Sequence, residues 1–176
     1  MSSLVALLRE QQAAGFPDFA GARASATIPI SDRLATRLIA DELPPSSPVR
    51  EIELRASAGN TITVALRMAG PAIFPRIEIP VHIEQQPSLP EAPTFVFRVA
   101  LPRGLAAIAR PALRIFDFLP PGVRMQDDRL TVDLRTLLQR YEAAEALDYL
   151  DRLELTTVER AILVRIDARL PHPPTP

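Results

Sequence analysis

The feature that most constrains this chain is a run of segments in which apolar and polar residues alternate with a period of two. Ile52, Leu54 and Ala56 alternate with Glu51, Glu53 and Arg55, and after Ala58, Gly59 and Asn60 the pattern resumes in Ile62, Val64, Leu66 and Met68. Ile77, Ile79, Val81 and Ile83 alternate with Arg76, Glu78, His82 and Glu84, and Phe95, Phe97, Val99 and Leu101 repeat the pattern. Side chains of a strand point alternately to its two faces, so each segment predicts a strand with one apolar face. A Gly-Asn turn between two of them predicts a hairpin. Pro80 falls on the outward parity of its strand, and proline cannot donate to a ladder, so that strand is expected at a sheet edge.

The rest of the chain mixes the two periods. Arg23 to Ile30 alternates through Ala24, Ala26, Ile28 and Ile30. Ser31 then offers an N-cap with Asp32 in the first turn, and Leu34, Ala35, Leu38 and Ile39 follow at helical spacing. That helix should stop before Pro44 and Pro45. Further on, Val123 and Met125, a turn at Asp127 and Asp128, and Leu130, Val132 and Leu134 return to strand periodicity. A second helix is predicted with Leu137, Tyr141, Ala144 and Leu147 on one stripe, then a hairpin through Leu153, Leu155, Ile162, Val164, Ile166 and Ala168. Residues 27–67 and 131–169 thus share one order of strand, helix and hairpin, which suggests a duplicated unit. The fold class expected is α+β, with a curved antiparallel sheet wrapped around one or two helices.

At 176 residues the chain has the size of one domain. We expect an N-terminal arm over 1–21, a single domain over 22–170, and a disordered proline-rich tail over 171–176. An apolar share of 47% with 23% charged residues belongs to a chain that folds. Cysteine is absent, which excludes disulfides, thiolate metal sites and thiol nucleophiles. Met1 to Glu10 lacks the layout of a secretory signal, and no apolar run has the length needed to span a bilayer, so a cytoplasmic location is expected. All 20 basic residues are arginine, balanced by 21 acidic ones, with two tyrosines and no tryptophan. Alternating charge and sparse aromatic surface argue against nucleic acid as a partner.

Catalytic chemistry has little to stand on. His82 lies on a strand and His172 in the tail, too far apart in pattern for a metal site. There is no nucleophile elbow, phosphate loop or dinucleotide fingerprint. The acidic pairs Asp41 with Glu42 and Asp127 with Asp128 belong to a helix end and a turn. No enzyme and no cofactor are expected. Between Glu91 and Asp117 there is no acidic residue, and Arg98, Arg103, Arg110 and Arg114 accompany Leu105, Ile108, Leu113, Ile115 and Phe116 in a basic, apolar stretch.

The segments ATIPISDRLATRLIADEL, REIELRASAGNTITVALRM and LPPGVRMQDDRLTVDL before the final hairpin resemble the small bacterial members of the tubular lipid-binding superfamily, over roughly residues 22 to 170. That resemblance implies a highly curved sheet around a long helix, with an apolar tunnel for an acyl chain. Bacterial members are commonly exported or lipid-anchored, whereas this sequence shows neither a signal layout nor a cysteine. The function expected is non-enzymatic binding or carriage of a lipid or other apolar small molecule, lined by Ile52, Leu54, Val64, Leu66, Phe95, Phe97 and Val99. Arg103, Arg110 and Arg114 are candidates for head-group or transient membrane contact. The alternative is a structural or protein-interaction module with a filled core. Association with a second copy is a further expectation.

Overall fold

The computed structural model describes residues 18, 20–69, 76–100 and 119–170. In chain order these form β1 (Arg23–Ser31), α1 (Asp32–Glu42), β2 (Val49–Ser57), β3 (Thr61–Met68), β4 (Ile77–Gln85), β5 (Thr94–Val99), β6 (Val123–Gln126), β7 (Arg129–Asp133), α2 (Leu134–Gln139), a 3₁₀ helix (Ala144–Tyr149), β8 (Leu150–Val158) and β9 (Ala161–Arg169). The architecture is α+β and mostly antiparallel sheet. The strands divide into a three-stranded sheet A, in the order β1-β9-β8, and a six-stranded sheet B, in the order β2-β3-β4-β5-β7-β6. The N-terminal arm up to residue 17 and the tail from 171 lie outside the described residues.

Register turns the two-residue alternation into one apolar face per sheet. In sheet B, Ile52 opposes Leu66, which opposes Ile77; Leu54 opposes Val64, which opposes Ile79; Ala56 opposes Ile62, which opposes Val81. The row continues through Val99, Phe97, Leu130 and Met125. Leu66, Met68, Ile77, Ile79, Val81 and Val99 form the core cluster on this face. A second cluster of Phe95, Leu134 and Leu147 receives Leu153 and Leu155 from β8, so the apolar face of sheet A meets that of sheet B there. Burying these faces is the main driving force for the fold.

The opposite face of sheet B is charged. Arg55 on β2 pairs with Glu78 on β4, and Arg76 pairs back to Glu53, so both pairs span the intervening β3. Ala65 stands between Glu53 and Glu78 in register and is buried beneath them. The arginine stems cover this small side chain while their guanidinium groups stay in water.

Three expectations are corrected. Pro80 does not mark an edge, because β4 lies between β3 and β5. The β4 to β5 ladder ends at Val81 with Val99; one step beyond it the Pro80 carbonyl accepts from the Ala100 N–H, so the N–H that proline lacks falls at the end of that ladder. The second helix is not continuous: α2 stops at Gln139, Glu142 has φ of +54°, and the Ala143 N–H turns back to the Leu138 carbonyl. Leu147 reaches the core from the 3₁₀ helix instead, while Tyr141 stays exposed and donates to Glu42 at 2.8 Å. Leu134, expected as a strand residue, begins α2, with Asp133 capping the Thr136 N–H at 3.1 Å.

Candidate ligand site

The seven predicted lining residues are placed on the apolar face of sheet B by β2, β3 and β5. Leu54, Leu66, Phe95 and Val99 are buried, and Ile52, Val64 and Phe97 are half-buried. Leu66 and Val99 belong to the larger core cluster with Ile52, Val64 and Phe97 packed against it, and Phe95 to the other cluster. The Phe95 and Phe97 rings lie 5.9 Å apart and tilted, which links the two. Arg103, Arg110 and Arg114 lie outside the described residues.

The apolar surface that remains open lies on elements whose periodicity predicted burial. On sheet A, Ala26, Ile166 and Leu153 share a face, as do Ile28, Val164 and Leu155. Coverage falls along these rows: Leu155 packs into the core, Val164 is half-buried, and Ile28 at the far strand is 47% exposed. Sheet A is therefore inserted by its β8 side and free on its β1 side.

Helix α1 adds to that surface. Ser31 accepts from the Leu34 N–H at 3.3 Å and starts the helix where β1 ends. The helix is pinned along the edge of β2: the Leu54 N–H donates to Thr36 Oγ1 at 2.9 Å and the Ala56 N–H to Asp32 Oδ1 at 2.8 Å, with Ala35 buried between. Arg33 and Thr36 border an open cleft of about 670 Å³ together with Glu53, Arg55, Thr63 and Glu78, the charged side of sheet B. On a helix of 3.6 residues per turn, Leu34 and Leu38 lie well round the axis from Asp32 and Thr36, the residues bonded to β2. The two leucines are 46% and 52% exposed, and neighbouring Ile39 is 41% exposed. Ile28 on β1 and Leu34 and Leu38 on α1 are thus large apolar side chains left exposed on two consecutive elements.

The charged faces of the two sheets are ion-paired. Glu84 accepts from Arg98 at 2.6 Å and from Arg129 at 3.2 Å, and these bonds hold its carboxyl below the usual range. Asp167 is held down by the hydroxyl of Ser25, with Arg165 and Arg152 nearby. His82 is exposed, 3.0 Å from Thr61 Oγ1, and among the described residues no group of histidines and carboxylates has the geometry to hold a metal ion. Asp41 pairs with Arg37 at the end of α1, and Asp127 sits in the β6 to β7 turn with φ of +54°. Among the described residues no helix is long and apolar enough to cross a membrane.

The sequence placed Leu34, Leu38 and Ile28 on apolar faces but gave no sign that these faces stay open. No protein-family model matches the chain, and it matches no curated protein and no solved structure.

Proposed function

We propose that this chain is a non-enzymatic binding protein for a lipid acyl chain or a comparable apolar ligand, held on the apolar side between sheet A, α1 and sheet B. The observation that carries this reading is the exposure of Ile28, Leu34 and Leu38, large apolar side chains on two consecutive elements. Exposed large apolar side chains, when gathered into a patch, are a feature of ligand grooves and interaction sites. A hydrocarbon chain laid along it gains about 0.8 kcal/mol for each CH₂ removed from water.

In this reading Ile28, Leu34 and Leu38 form the mouth. Ile52, Val64 and Phe97 form the accessible wall, with Leu54, Leu66, Phe95 and Val99 packed behind them. Arg103, Arg110 and Arg114 are the proposed contacts for an anionic head group or membrane surface. The reading includes a sheet curved around the helices and descent from a duplicated unit. The recurrence of β1-α1-β2-β3 in β7-α2-3₁₀-β8-β9 supports the latter.

The test is displacement of a dansyl-labelled fatty acid from the full chain by unlabelled fatty acids. Binding should rise with acyl length and weaken at least about tenfold in Leu34→Asp with Leu38→Asp, roughly the 1.4 kcal/mol equivalent of one decade. Equal binding by the double variant, with unchanged far-ultraviolet circular dichroism, would refute this site.

A further inference from the structure

The two sheets have four edge strands, and among the described residues they are treated differently. On β2, α1 takes the outward N–H groups of Leu54 and Ala56, and the Arg160 N–H takes the Ala56 carbonyl at 3.0 Å. On β8, the Gln86 carboxamide accepts the Leu155 N–H at 3.0 Å and donates to the Leu155 carbonyl at 2.7 Å, as a neighbouring strand would, and Asn60 Oδ1 accepts the Thr157 N–H at 3.3 Å. β6 is only four residues long. β1 runs for nine residues, exposed from Arg23 to Pro29, and among the described residues has no such cover.

The ladder shows which amides of β1 point away from β9 and, among the described residues, have no acceptor. The Leu170 N–H donates to the Ala22 carbonyl and the Asp32 N–H to the Arg160 carbonyl, at the two ends of one antiparallel register. Between them, alternation directs the N–H groups of Ala24, Ala26, Ile28 and Ile30 to β9 and those of Arg23, Ser25 and Thr27 outward. Pro29 falls on the outward parity, where its lack of an N–H costs the β9 ladder nothing.

We propose that β1 is the dimer interface, pairing antiparallel with β1 of a second copy across a two-fold axis at Ser25. The two three-stranded sheets then run on as one. Arg23 of each copy falls opposite Thr27 of the other, and Ser25 opposite its own counterpart. The free N–H groups, two residues apart, meet carbonyls of the second copy. Charge favours self-pairing, because Ala24 to Ser31 contains no charged residue and the lone Arg23 meets a neutral threonine instead of another arginine. Ala24 and Ala26 oppose each other across the axis and continue the apolar row of sheet A. Because both copies use the same strand and Pro29 ends the pairing, the contact closes as a dimer and does not propagate. This interface is independent of the lipid reading.

Analytical ultracentrifugation of the full chain should show a dimer. Thr27→Pro removes one outward N–H and leaves the β9 ladder intact, so it should yield a monomer, with association weakened at least about tenfold, at unchanged far-ultraviolet circular dichroism. In the wild type, hydrogen exchange at residues 23–27 should slow as protein concentration rises, a readout that holds even if Thr27→Pro does not fold. A wild type that sediments as a monomer up to its solubility limit, a folded Thr27→Pro chain that dimerises as before, or exchange at 23–27 independent of concentration would each overturn the proposal.

Discussion

Glu84 and Asp167 show how single side chains on the charged faces are tuned. Glu84 is lowered chiefly by its hydrogen bonds from Arg98 and Arg129, and Asp167 chiefly by the bond from Ser25. A carboxyl whose folded value lies below its unfolded value stabilises the fold above the ordinary carboxylate range, and that contribution fades as pH falls through the lowered value. Both should therefore contribute at neutral pH and lose their effect only in acid. Ser25→Ala should move the Asp167 midpoint upward, as read by carboxyl NMR titration; an unmoved midpoint would mean that the hydroxyl does not act on it. Among apolar residues, Leu66 is 1% exposed, so Leu66→Ala should cost about 2 to 5 kcal/mol in denaturant unfolding. Leu34→Ala, at a half-exposed position, should cost well under that. Periodicity treats both leucines alike, because it reports the face a residue occupies and not what lies above it.

Elements were legible where pattern and local chemistry agree. The hairpin β2 to β3, the capped start of α1 and the hairpin β8 to β9 all follow from alternation, turn residues and a capping serine. The break after α2 was not legible, because the stripe Leu137, Tyr141, Ala144 and Leu147 keeps helical spacing through a turn that the backbone makes at Glu142. Gln86 was equally silent: as a polar residue after β4 it reads as loop, yet its carboxamide closes the edge of β8 at Leu155. Gln86→Ala should strip both partners from Leu155 and cost about 1 to 3 kcal/mol, measured by urea unfolding. A cost near zero would show that water replaces the carboxamide without loss.

For the molecule as a whole, the alternation predicted strands with one apolar side but not their division into two sheets. β1 pairs with β9, joining Arg23 to Arg169 across nearly the whole chain, and nothing local encodes such a partner. The apolar face of sheet A follows from that pairing: β8 packs against the core of sheet B, while Ile28 on β1 stays half exposed, as do Leu34 and Leu38 on the helix that follows. The residues expected to line a ligand lie on the apolar face of sheet B, half-buried or buried, whereas the exposure of Ile28, Leu34 and Leu38 was not visible in the sequence. The most direct test is native mass spectrometry of the full chain after gentle purification, with organic extraction of the same sample. The account predicts species heavier than the polypeptide by the mass of an acyl lipid, and recovery of that lipid in the extract. The bare polypeptide mass or its multiples alone, with an extract free of lipid, would contradict it.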